Sequence, residues 1–116
     1  MSDLIIVVDG EPDVCRIARR CLEEAGYAVR AFSSVAGIEH ALDIRPSLML
    51  ISASLPDGSG LDLCRQIRRN PVQAGTPVIL LTAGTSEEQS CAALEAGADN
   101  FLAKPFSPRE LMARVQ

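Results

Sequence analysis

Five side chains in this sequence carry the functional groups of phosphate and metal chemistry. They are the carboxylates of Asp9 and Glu11, the hydroxyls of Ser52 and Thr82, and the amine of Lys104. Each lies at the end of a short apolar run: Asp9-Gly10-Glu11 follow LIIVV, Ser52 closes LMLIS, Thr82-Ala83 close PVILL, and Lys104-Pro105 follow FLA. Carboxylates bind magnesium, hydroxyls hydrogen-bond phosphoryl oxygens, and an ammonium neutralises them. Ser52 sits between Ile51 and Ala53, so no acid or base adjoins its hydroxyl in sequence.

Residues so far apart in the chain meet only if the fold brings those ends together. Leu4–Val8 is a continuous apolar, largely β-branched run of the kind buried on both faces of a parallel sheet. Pro12–Ala25 reads as a helix with Val14, Ile17, Ala18, Cys21, Leu22 and Ala25 inward, opened by Pro12 and closed by Gly26. Tyr27–Phe32 is a second strand, and Ser34–Ile44 a helix with Val35, Ile38, Ala41 and Leu42 inward, stopped by Pro46. Leu48–Ser52 is the third strand and Leu61–Arg69 the next helix. Pro77–Thr82, Ser86–Ala96 and Phe101–Ala103 continue the alternation, and Ser107-Pro108-Arg109-Glu110 opens a last helix with Leu111, Met112 and Val115 inward.

Five strands alternating with helices give an α/β, (βα)5 three-layer sandwich: a five-stranded parallel sheet covered on both faces by right-handed crossovers. The expected strand order is the doubly wound, flavodoxin-like 2-1-3-4-5. In that order the C-terminal ends of strands 1, 3, 4 and 5 share one rim, where the five side chains sit.

At 116 residues the chain has the size of one domain, residues 1–116. The last helix ends at Gln116 without a cap, which reads as the N-terminal part of a longer protein. A formal charge of −4 argues against nucleic-acid binding by this domain. No apolar run reaches the roughly 20 residues of a membrane helix, and MSDLIIVVDG is no signal peptide, so the default location is cytoplasmic. The four cysteines (Cys15, Cys21, Cys64, Cys91) form no CxxC pair and His40 is alone, which argues against a structural zinc site. The inward Cys21 and the small Cys91 read as core residues.

The stretches VVDGEPD, SLPDGSG, PVILLTA, LEAGADNFLAKPF and SPREL occur in order over nearly the whole chain. In these the chain resembles the receiver domain of two-component response regulators, the CheY-like family. That resemblance implies an aspartate ending strand 3 that takes a phosphoryl group from a phosphohistidine, with magnesium held by an acidic pair after strand 1. It also implies a Thr or Ser ending strand 4, a Lys before Pro at strand 5, and a switch aromatic on strand 5. Thr82, Lys104 and Phe101 occupy the last three positions, and Asp9 is the first member of the acidic pair. The second member is Gly10, and the acceptor position, four residues before Pro56, holds Ser52.

A serine has to lose a proton before attack, and would give a stable ester rather than a labile mixed anhydride. With Gly10 in place of an acid, magnesium binding is weak or lost, leaving only Asp9 and Glu11 as candidate ligands. Asp57 is the obvious substitute acceptor, but its neighbours mark it as a turn residue. Lys104 then serves to neutralise Asp9.

The expectation is an atypical receiver without cofactor or enzymatic activity, acting as a protein-interaction or dimerisation module. Its surface would be the helix 4–strand 5–helix 5 face (Ser86 to Ala96, Phe101 to Lys104, Ser107 to Gln116), and its partners a second copy, a histidine kinase or a fused effector domain. The alternatives are a working phosphorelay receiver with a substitute acceptor, or a small-ligand-binding regulatory domain.

Overall fold

A computed structural model describes residues 3–41, 43–84 and 87–115. In chain order the elements are β1 (Leu4–Val8), α1 (Pro12–Glu24), β2 (Ala28–Phe32), α2 (Val35–Glu39) and β3 (Leu48–Ser52). There follow β4 (Ser54–Leu55), β5 (Gly58–Ser59), α3 (Gly60–Arg69), β6 (Val78–Thr82), α4 (Glu87–Glu95), β7 (Asn100–Ala103) and α5 (Pro108–Val115). The main sheet is wholly parallel in the order β2-β1-β3-β6-β7. Counting main-sheet strands alone, this is the 2-1-3-4-5 arrangement read from the sequence.

The strands are apolar throughout because both faces of the sheet are covered. Alternation along each strand divides the core in two. Ile6, Val8, Met49, Ile51, Val78 and Leu80 point to the side of α2, α3 and α4, with Ile38, Leu63, Ile67 and Ala93. Ile5, Val7, Leu50, Ile79 and Leu81 point to the other side, with Ala18 and Leu22 of α1 and Leu111 of α5. Register sets the strand ends level: Val8 lies beside Phe32 and Ile51, Ser52 beside Leu81, and Thr82 beside Ala103.

Several boundaries and faces differ from the sequence reading. The helix expected over Ser34–Ile44 is α2, Val35–Glu39; its Ser34 cap accepts a hydrogen bond from Gly37 N at 3.0 Å. Beyond it the bonds run from Ala41 N to Ile38 O (2.8 Å) and from Ile44 N to Ala41 O (3.1 Å), the three-residue spacing of turns. Val35 and Gly37 are also weak helix formers. Ile38 and Ala41 are buried, while Leu42 lies outside the described residues. Ile17 is 44% exposed, because it sits roughly 100° around the helix from Ala18, at 3.6 residues per turn. Ala25 is exposed as the residue that ends α1.

Cys91 is exposed rather than in the core. It precedes the buried Ala93 by two residues, roughly 200° around α4. Cys21 is partly buried against the α1–α5 side of the core. The described part of α4 begins at Glu87, and Ser86 lies outside the described residues, as does Gln116.

Two details position the rim. The turn after β3, read as loop, is an antiparallel ladder in which Ser54 faces Ser59 and Leu55 faces Gly58. Ser59 Oγ then accepts from Leu61 N (3.1 Å) and Asp62 N (3.4 Å) and caps α3. The start of α3 is thereby pressed onto the end of β3: a Cβ on Gly60 would stand 1.8 Å from Ser52 O. At the opposite pole Arg68 ties two loops together, donating to Gly97 O (2.8 Å) and Asp99 Oδ2 (2.8 Å) before β7 and to Thr76 O (2.6 Å) before β6. Gly97 itself has φ +97°, a left-handed cap that excludes a side chain.

The backbone contact at Gly60 cannot yield as a flexible side chain would. Gly60→Ala is therefore expected to destabilise the domain by about 3 kcal/mol or more, measured by urea unfolding; a loss near the usual ~1 kcal/mol of a point change would contradict this packing.

Candidate functional site

The level strand ends bring Asp9, Glu11, Ser52, Thr82 and Lys104 around one cleft of about 560 Å³. Asp9 is 1% exposed. Its Oδ1 accepts from Glu11 N at 2.9 Å, and its Oδ2 lies 2.7 Å from Lys104 Nζ. That Oδ2 makes no hydrogen bond of ordinary angle, so the ammonium charge alone compensates it. Lys104 Nζ also reaches Glu11 Oε1 (3.1 Å) and Ser52 Oγ (3.2 Å).

The strand register and the Lys104 N to Thr82 O bond of 2.7 Å hold the lysine in this position, and the Lys104–Pro105 peptide is cis. Burial pulls the ammonium's pKa down, but hydrogen bonds and attraction from Asp9 and Glu11 outweigh it, and the net shift is upward. Lys104 therefore stays protonated near neutral pH and is a donor, never a base, toward Ser52.

Ser52 is 2% exposed. Its hydroxyl donates to Ser54 O at 2.9 Å, accepts from Lys104 and receives Ser54 N at 3.4 Å. A hydroxyl whose proton is held by a carbonyl and whose oxygen faces an ammonium is a poor nucleophile. Thr82 Oγ1 donates to Gly84 O at 2.7 Å. Phe101 packs, partly buried, against the α2–α3–α4 side of the core.

Gly10 lines the cleft without a side chain, and Pro56 leans into the space where one would begin. A Cβ at Gly10 would stand 2.8 Å from Pro56 Cδ and 3.1 Å from its Cγ. Among the described residues no three His, Cys, Asp or Glu side chains are grouped to hold a metal ion.

Asp57 does not face the cleft's lysine. Its two carboxylate oxygens accept from Val35 N (2.8 Å) and Ala36 N (3.0 Å), so it caps α2 from a distant loop. This role was not legible in the sequence. Pro56 and Gly58 signal a turn, but only the β4–β5 ladder aims that turn at a helix more than twenty residues upstream. Cys15, also unassigned from the sequence, donates its Sγ–H to Asp9 O at 3.3 Å. Burial and the Asp9 charge raise its thiol pKa, away from reactivity.

A doubly wound domain whose acids, hydroxyls and lysine converge on the C-terminal rim belongs to the open α/β folds that place their sites outside the carboxyl ends of the strands. The chain is a member of the response regulator receiver domain family, whose model matches residues 5–116. It is 41% identical over 113 residues to the transcriptional regulatory protein GltR of Pseudomonas aeruginosa, covering 97% of this chain and 47% of GltR. The structure of the response regulator DrrB, a Thermotoga maritima OmpR/PhoB homologue, superposes with a TM-score of 0.90 at 32% identity, over 99% of this chain and 51% of that one. Chemotaxis response regulator CheY4 of Vibrio cholerae shares the fold, with a TM-score of 0.94 at 24% identity over 100% and 98% of the two chains. The chain thus spans about half the length of the curated relatives it matches. None of its described helices is long and apolar enough to cross a membrane.

The backbone bonds from Ala36 and Val35 lower the Asp57 pKa. A depressed carboxylate stabilises the fold above its unfolded value, about 3.9 for aspartate, and loses that contribution as pH falls through the folded value. Asp57→Asn should lower the Tm at neutral pH, and the difference from wild type should shrink toward zero in acid below that range. A difference independent of pH would contradict the capping role.

Proposed function

We propose that this receiver domain works without aspartyl phosphorylation and without resident magnesium, as a regulatory interaction module of a two-component protein. The observation that carries the reading is the closed set of contacts around Lys104: Asp9, Glu11 and Ser52 all lie within 3.2 Å of Nζ. Nothing at the end of β3 offers a carboxylate to a phosphoryl donor. The residues also do not fit a magnesium ion. Asp9 and Glu11 are engaged by the ammonium, and the adjoining position, Gly10, is one where Pro56 already crowds a Cβ at 2.8 Å. Magnesium takes one or two carboxylates with near-octahedral geometry, which this cluster does not present.

Asp57 gives no support to a substitute-acceptor reading, because both of its oxygens hold the start of α2. Among the described residues no grouping of nucleophile, base and orienting residue supports a catalytic reading. The output surface in this reading is the α4–β7–α5 face, where Leu94 is 55% exposed and Cys91 lies on the surface of α4. Its partners are a second copy, a histidine kinase or an attached effector; the domain reads no nucleic acid itself.

Incubation with acetyl phosphate and magnesium chloride, followed by intact mass spectrometry, tests this. The unmodified mass is expected, while a receiver that keeps an aspartate at the end of its third strand is modified in parallel. A hydroxylamine-labile phosphoryl adduct on this chain would overturn the proposal.

A further inference from the structure

The cleft is far larger than a phosphoryl group requires, and its walls are mostly apolar. Leu61 of α3, Ala83 just after β6, and Ala92 of α4 line it between the two helices. A volume of about 560 Å³ lies within the range of small-molecule sites, which typically combine apolar walls with a few converging polar groups. Gln89 of α4 also lines the cleft, while the charged groups and the two strand-end hydroxyls come from the C-terminal rim of the sheet, where their unused hydrogen-bonding capacity decides what they accept.

The Lys104 ammonium is enclosed by its ion pair with Asp9 Oδ2 at 2.7 Å and by its hydrogen bonds to Glu11 Oε1 and Ser52 Oγ. The Ser52 proton goes to Ser54 O and the Thr82 proton to Gly84 O. No side-chain donor in this set is left for an anion. An acceptor is left: Glu11, 66% exposed, has its Oε2 without a partner among the described residues, whereas Asp9 Oδ2 is buried and matched by the ammonium at 2.7 Å. Two carboxylates against one ammonium leave a charge of −1 at the mouth of an apolar cleft.

We propose that this cleft is an effector site for a small amphipathic amine, its cationic head on Glu11 and its flat apolar body between α3 and α4. The inference rests on the reading of a rim free of phosphoryl chemistry, and it excludes the ligands a phosphate or nucleotide site would take. A ligand so placed bridges the loop after β3 and helix α4. It would thereby act on a wall of the cleft whose outer side carries Leu94.

Three probes of one shape and different heads provide the test: tryptamine, tryptophol and indole-3-propionate, titrated at millimolar concentration into the nitrogen-labelled chain and followed by amide NMR. Tryptamine is expected to shift the amides of Glu11, Leu61, Ala83 and Ala92, with the other two probes at least about tenfold weaker, the worth of one charge-assisted hydrogen bond. Glu11→Gln should weaken tryptamine by a similar factor, and Ala92→Phe, which fills the cleft, should abolish its effect while the amide spectrum stays folded. Equal binding of all three probes, preference for the carboxylate, shifts confined to another surface, or no shift at all would overturn the proposal. No phosphodonor is present, so this result and the mass measurement fail independently.

Discussion

Asp9 is a carboxylate at 1% exposure, and a charge so placed is costly unless it is matched where it stands. The match comes from Lys104, ninety-five residues along the chain and 2.7 Å away. For the two to meet, β1 and β7 must end level although β3 and β6 lie between them. That requirement fixes the parallel register, the short loops after each strand and the close approach of Gly60 to Ser52. The pair also sets the electrostatics of the rim, because an ammonium 2.7 Å from Asp9 and hydrogen-bonded to Glu11 and Ser52 stays protonated and cannot serve as a base.

Most of the fold was legible because the strands are apolar on both faces and the turns between elements carry Gly and Pro. The five-strand order follows from that alternation and from the preference for right-handed crossovers. Where the reading failed, three-dimensional context outweighed the local pattern. Ile17 belongs to a plausible helical stripe but lies at its edge, and Cys91 was assigned by residue type although Ala93 takes the buried face of α4. The second helix stops at Glu39 because its hydrogen bonds tighten into turns, which apolar spacing alone does not reveal.

The rim was legible in its residue list and less so in its connections. Strand ends predict which side chains converge, but not that Pro56 crowds the position of a Gly10 Cβ or that Asp57 leaves the site to cap α2. Both depend on the short β4–β5 ladder, which reads as plain turn in sequence. The ladder sets the path of the β3–α3 loop, and with it the shape of one wall of the cleft. The chain thus has the fold of the receiver family, with a glycine and a serine at two positions of the rim between an aspartate and a lysine.

The central claim is that Asp9 and Lys104 form one coupled structural unit. The measurement closest to it is a double-mutant cycle by urea unfolding, with Asp9→Asn, Lys104→Met and the two combined. Removing the lysine alone leaves a buried carboxylate uncompensated and is expected to cost about 3 kcal/mol. The double variant should be less destabilised than the sum of the singles by at least ~1 kcal/mol. Additivity within about 0.5 kcal/mol would contradict the account, since it would mean that the two charges do not depend on each other.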